Sequence, residues 1–380
     1  MTVSRAQSDF LNHARWIAAW LVVAEHARSL LMRDYGQLEQ PGGLAKGFYF
    51  LTGFGHEAVM VFFVISGFLV GGKVWERTSA GSFGWRSYLC DRASRLYAVL
   101  VVALLAGWAL DACGYHWFHA SGLYDRTMPE PVAVISRSVV EELDWRTFAG
   151  NLAFTQTILV NPFGSNGPLW SLANECWYYL LFPACLGVIC GRGAGRWIGA
   201  LTTAGMLWFL PTPMLALFGV WLLGAGCASL SKPLLPWWVC LAAFAAAFAL
   251  ARVEYLKFPH LDQYLIGITF ALLLNSFAGL GYGLPAAGPG RVLADFSYTT
   301  YLLHFPWLVF VASAIQVCSG RTLRLPFRLE SVGIFAICVG SALLLSWLVS
   351  LPTEARTKTY REWLYRLARV KHHAGGRSAG

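Results

Sequence analysis

Two residues at the start of the chain have the types and spacing of a reaction site. Arg15 and His26 lie in one apolar run and are eleven residues apart. At 3.6 residues per turn that is close to three whole turns, so a helix would carry both side chains on one face, roughly 16 Å apart along its axis. Arginine keeps its charge and suits a fixed anion partner. Histidine exchanges a proton near neutral pH, as a general base must. Each also has a plainer reading: Arg15 could snorkel to headgroups, and His26, beside Glu25, could bond a neighbouring helix.

Four further groups could join them. The run Trp170-Ser171-Leu172-Ala173-Asn174-Glu175-Cys176-Trp177-Tyr178-Tyr179 places Ser171, Asn174, Glu175, Tyr178 and Tyr179 at three- and four-residue spacings. That gives a polar helical face with one carboxylate, able to orient a histidine or bind a hydroxyl. Ser297, Thr300, Tyr301 and His304 form a second stripe before Pro306, which reads either as part of a site or as a helix–helix hydrogen-bond seam. Arg92 and Arg95 make a compact basic pair that could grip phosphates or only fix topology. Ser66 and Gly67 form a small pair within Val61–Phe68 that permits close backbone approach. Neither Ser66 nor Ser171 has an activating neighbour in sequence, so serine nucleophile chemistry is disfavoured.

Lipid is the medium that must position these groups. Hydrophobic residues are 57% of the 380 and charged residues 13%, about half the charged share of a soluble domain. The apolar residues cluster in runs near the length of a membrane span. Ten such runs stand out, at residues 10–32, 54–74, 94–113, 170–190, 197–210, 214–230, 237–251, 261–279, 292–317 and 332–351. The expected fold is therefore an all-α polytopic transmembrane bundle of about ten spans. Residues 1–355 form the membrane domain, and 356–380 a basic, partly disordered cytoplasmic tail.

Lys73, Arg77, Arg86, Arg92 and Arg95 after the second run, with the basic tail, place both termini inside. Arg321, Arg324 and Arg328 then fall outside, against the rule. Residues 114–169 make the largest external piece, and 148–160 are apolar but too short to span, so they lie in the interface or re-enter. The first apolar run carries Arg15, Glu25 and His26, unlike a cleavable signal peptide.

Composition excludes other classes. Much of the net charge of +9 sits in the tail, which suits anionic headgroups better than nucleic acid. Nine cysteines without a CxxC spacing suggest free, buried thiols rather than a disulfide framework or a metal site. There is no fixed-period repeat or low-complexity segment.

Taken in order along the chain, these segments resemble the acyltransferase 3 family of multi-span membrane acyltransferases. Arg15 with His26 is similar to the family's Arg and His signature, Val61–Phe68 to its FFxxSGF run, and Arg92-Ala93-Ser94-Arg95-Leu96-Tyr97 to its RxxRxxP segment. Trp170 through Tyr178 resembles WSLxxE, Ser297–Pro306 resembles SYxxYLxHxP, and Thr353-Glu354-Ala355-Arg356 sits at the family's polar exit from the last span. The chain departs from the pattern at Asn12, where an acid is common, at Ala98, where a proline is usual, and at Glu25. No fused hydrolase-like domain is expected after the tenth run.

The resemblance implies transfer of an acyl group, acetyl by family default, from cytoplasmic acyl-CoA to a saccharide or glycoconjugate hydroxyl in a bacterial inner membrane. His26 and Glu175 would stand at the reaction centre, and Arg15, Arg92, Arg95 and Ser66 on the donor side. Ser171, Asn174, Tyr178, Tyr301 and His304 would bind or support the acceptor. Acyl-CoA would be a co-substrate; no bound cofactor and no metal is expected. The rival class is a transporter of an acylated precursor or small anion, since intramembrane Arg, His and Glu suit a polar pathway too. Release of free CoA separates an enzyme from a carrier. The acceptor, the acyl length and the oligomeric state are not legible in the sequence.

Overall fold

Ser4 starts the first helix with a reciprocal cap: its hydroxyl accepts from the Gln7 amide at 3.1 Å, and its own amide donates to Gln7 Oε1 at 3.1 Å. The same hydroxyl donates to the Phe277 carbonyl, so the cap also pins the helix to a distant segment. The computed structural model describes residues 3–128, 130, 132–252 and 260–369. Its helices in chain order are α1 (Arg5–Leu31), α2 (Gly43–Leu51), α3 (Gly55–Ser66), α4 (Gly72–Ser79), α5 (Trp85–Phe118), α6 (Trp145–Leu152), α7 (Leu169–Cys190), α8 (Ala194–Phe209), α9 (Thr212–Cys227), α10 (Trp237–Ala251), α11 (Leu261–Ser276), α12 (Ala287–Ala294), α13 (Ser297–Ser319), α14 (Leu329–Ser350) and α15 (Thr357–Leu367). No strand occurs among the described residues, as the sequence leads one to expect.

Five helical runs among these residues are long and apolar enough to cross a bilayer: Gly43–Ser79, Trp85–Ser121, Leu169–Cys190, Ser297–Ser319 and Leu329–Leu367. Thr212–Cys227 and Trp237–Ala251 are apolar but shorter. Sixteen residues of α-helix in α8, α9 or α11 reach about 24 Å, short of a hydrocarbon core of about 30 Å. The 27 residues of α1 reach about 40 Å, but Arg5, Asp9, Arg15, Glu25 and Arg28 interrupt their apolar character. The expectation of ten spans is thus matched in length and composition by five runs.

Helices α1 and α13 form the axis. α1 packs against α3, α12, α13 and α14, while α13 also packs against α5. Between α3 and α4 the chain makes a π-helical turn at Gly67–Gly71, a form that frequently marks functional sites. The turn nests against α9. A Cβ on Gly67 would collide with the Trp221 carbonyl, and one on Gly224 with the Val64 carbonyl. Only glycine at both crossings permits this approach.

Three expected boundaries shift. The run at 292–317 is interrupted before Ser297, whose hydroxyl bonds the Ala294 carbonyl and closes α12. Arg92 and Arg95 lie within α5 rather than before a span, because the helix continues through its polar first turns. Residues 357–367, expected in a partly disordered tail, form α15 against α5; Lys371 and Arg377 lie outside the described residues.

The apolar segment at 148–160 is tied to α5 and α7, with Trp177 donating to the Phe154 carbonyl at 2.9 Å. Tyr97, well inside α5, donates to the Leu152 carbonyl at 2.8 Å, and Asn166 donates to the Leu302 carbonyl at 2.8 Å. Phe154 and Phe163 are buried beside them. Ala153, Thr157 and Leu159 of this irregular stretch stay exposed, so it is covered by protein on one side.

Candidate active site

Between α1, α3, α4, α5, α7, α13 and α15 lies a cavity of about 820 Å³. Arg15, Ser66, Arg92, Arg95, Ser171, Glu175 and Tyr301 all line it, so seven side chains singled out from spacing, drawn from five helices, share one chamber. Its floor is a buried carboxylate. Glu354, 3% exposed, accepts from Arg95 at 2.8 Å and lies 3.7 Å from Arg15. Its second oxygen accepts from the Thr299 amide and hydroxyl, each at 2.9 Å. A buried anion held by two arginines and two neutral donors is fully compensated, and its loss would strand two cations.

The other arginine is poised differently. The Arg92 guanidinium stacks over the Tyr179 ring at 5.5 Å and the Tyr88 ring at 5.9 Å. Its buried Nε has no hydrogen-bond partner. Arg95 lies 4.9 Å from the centre of the Tyr298 ring. Facing these, Glu175 accepts a hydrogen bond from Tyr179. That hydroxyl is also 3.2 Å from Ser66 Oγ, which accepts from Trp221 Nε1 at 3.1 Å. Glu175, Tyr179, Ser66 and Trp221 therefore form one polar chain along the wall. Ser171 and Tyr301 share a 2.6 Å hydroxyl contact at the inner end.

The histidines lie beyond that end. His26 Nδ1 is 2.8 Å from His304 Nε2, with the rings 5.1 Å apart and 4° from parallel. His304 Nδ1 is 2.9 Å from the Thr300 carbonyl. A carbonyl only accepts, so His304 Nδ1 carries the hydrogen and its Nε2 accepts from His26 Nδ1–H. That leaves His26 Nε2 with a free lone pair, as a base requires. His304 is fully buried, whereas His26 keeps part of its surface accessible. The His26 ring meets Phe305 edge-on, so it points into the bundle at α13. The Tyr301 ring, 6.0 Å from the His304 ring, links the pair to the chamber.

Other sequence candidates are placed elsewhere. Tyr178 is fully buried and donates to the Met214 carbonyl at 2.6 Å, which makes it a packing residue off the chamber. Asn174 is buried and also absent from the lining. No hydrogen bond joins Glu175 to His26 among the described residues. Glu25 accepts from the Gly55 amide and lies 4.0 Å from Arg28, so it fastens α3 to α1. Sequence reasoning missed Glu354 as the counter-ion and Tyr298 as a ring under Arg95. Two arginines in apolar surroundings demand an anion, and that demand was the available signal.

These features define an all-helical membrane protein with a charged chamber at one end of a central helix and an imidazole pair at the other. The acyltransferase domain of the acyltransferase 3 family matches residues 8–351, and the chain belongs to that family. Acyltransferase MdmB of Streptomyces mycarofaciens is 28% identical over 174 residues, 46% of this chain. The match spans 38% of that relative's length. No solved structure matches the chain.

Proposed function

We propose that this protein is a membrane O-acyltransferase that moves an acyl group, acetyl by default, from cytoplasmic acyl-CoA to a hydroxyl of a saccharide or glycoconjugate. One observation carries the reading. A single helix bears Arg15 in a cation-rich chamber of about 820 Å³ and His26 in a pair whose hydrogen bonds leave Nε2 free. The chamber is large enough for a donor's pantetheine arm, and Arg15, Arg92 and Arg95 give the anionic donor a cationic wall.

In the proposed step, His26 Nε2 takes the acceptor's hydroxyl proton while the oxygen attacks the thioester carbonyl. The tetrahedral intermediate collapses with cleavage of the C–S bond. The leaving thiolate recovers the proton from His26, yielding ester and free CoA. His304 holds the tautomer, and Tyr301 and Ser171 orient the acceptor or the carbonyl where the chamber ends. Glu175 acts through Tyr179 and Ser66 on the donor wall.

The reading includes a ten-span, N-in and C-in topology in a bacterial inner membrane, with α8 to α11 as short tilted crossings and the Arg15 end facing the cytoplasm. The test is release of thiol from acetyl-CoA by purified protein, with and without a hydroxyl acceptor. Wild type should release CoA with ester formation. A protein that moves substrate across vesicles and releases no thiol would contradict the reading.

A further inference from the structure

The chamber opens at an edge where cations outnumber their partners. Lys73 and Arg77 come from α4, Arg92 from α5, and Lys358 and Arg361 from α15, and all five line the cavity. Arg77, Arg92 and Arg361 lie near enough to repel the Lys73 ammonium. Asp91 lies among them and forms an ion pair with Arg77, at 3.8 Å with nearly half of that arginine side chain exposed. Among the described residues no carboxylate lies within ion-pair distance of Lys73, Arg92, Lys358 or Arg361. The buried Nε atoms of Arg92 and Arg361 both lack a hydrogen-bond partner. Like charges crowded without counter-ions cost free energy unless a polyanion joins them.

α15 is built to stay at this edge. Its Tyr365 hydroxyl donates to the Ser87 carbonyl at 3.3 Å and to Asp91 Oδ1 at 3.2 Å. Tyr360, Trp363 and Leu367, spaced three and four residues apart, are exposed along another face. Such an aromatic stripe suits the membrane interface, and it turns Lys358 and Arg361 toward the cavity.

We infer that α15 completes a phosphate-binding subsite, in which Lys358 and Arg361, with Lys73, Arg77 and Arg92, hold the phosphorylated nucleotide end of the acyl donor. This rests on the acyl-CoA reading above, and it assigns to the segment after the last long apolar helix a substrate-binding role. The thioester arm then runs past Arg95 toward Tyr301.

The test compares two donors on the full-length protein in a neutral detergent. Acetyl-CoA carries the phosphates and S-acetylpantetheine does not. For Lys358→Ala with Arg361→Ala, the ratio of kcat/KM for acetyl-CoA over S-acetylpantetheine should fall about a hundredfold, roughly tenfold for each charge-assisted contact removed. The Lys358→Gln, Arg361→Gln variant, which keeps polar side chains of high helix propensity without the charge, should show the same fall. An unmoved ratio in a wild type that releases thiol normally overturns the subsite and leaves acyl transfer standing. If neither donor releases thiol but wild type binds adenosine 3′,5′-bisphosphate by calorimetry and the double variant does not, the subsite stands and the acyl-transfer reading falls. An unmoved ratio with lost stabilisation by phosphatidylglycerol vesicles overturns the donor subsite in favour of headgroup binding.

Discussion

The two ends of α1 solve opposite problems. At Arg15 the protein gathers permanent charges and compensates only some of them, through Glu354. At His26 it gathers two neutral rings and satisfies them with one another and a backbone carbonyl. A cation kept charged needs a partner or a ligand, while an imidazole kept neutral needs only a defined tautomer. In the proposed reaction the first arrangement binds the donor and the second exchanges a proton. Eleven residues of one helix hold the two functions at a fixed separation, with Tyr301 between them.

Substitutions can break that division of labour. The largest effect is expected for His26→Ala, where thiol release in the presence of acceptor should fall about 10²- to 10⁴-fold, the usual contribution of a positioned base. Full-rate release by a normally inserted variant would remove His26 from the mechanism. Glu354→Ala should destabilise the fold by about 3–5 kcal/mol, since it strands Arg95 and Arg15 in a buried chamber. Thermal unfolding in detergent reads this, and an unchanged midpoint would show that the arginines find solvent. His304→Ala should lower kcat by about ten- to hundredfold, the scale on which a partner orienting an imidazole acts in metal sites, with the KM for acetyl-CoA held. Gln at the same position should restore part of the rate. A shift in KM alone would make His304 a donor-binding residue instead. The smallest effect, about 1–3 kcal/mol of destabilisation from overpacking, is expected for Gly67→Ala at the α9 crossing, read as a lowered unfolding midpoint in detergent.

Legibility in the sequence followed distance along the chain. Arg15 with His26, Arg92 with Arg95, and Ser171 with Glu175 are short-range pairs, so helical spacing alone put their members on common faces. Glu354 is 259 residues from Arg95 and His304 is 278 from His26, and no periodicity links such pairs. Tyr178 and Tyr179 show the limit of stripe reasoning. Adjacent residues differ by about 100° on a helix, and the face toward α9 took Tyr178 while the chamber took Tyr179. Lys358 and Arg361 looked like headgroup contacts because the tail's charge excess is sufficient for that purpose. Only the packing of α15 on α5 turns them inward. The ten apolar runs were visible, and those at 197–210, 214–230 and 237–251 were already short in the sequence; the helix within 261–279 ends earlier than its apolar run, at Ser276.

The most direct measurement follows acetyl-CoA with wild type and His26→Ala side by side, recording the Kd for CoA and the rate of acceptor-dependent thiol release. If one end binds and the other takes the proton, the variant keeps its Kd within about twofold and loses release by about a hundredfold or more. Release at the wild-type rate, or a loss explained wholly by weaker CoA binding, would contradict the separation of roles along α1.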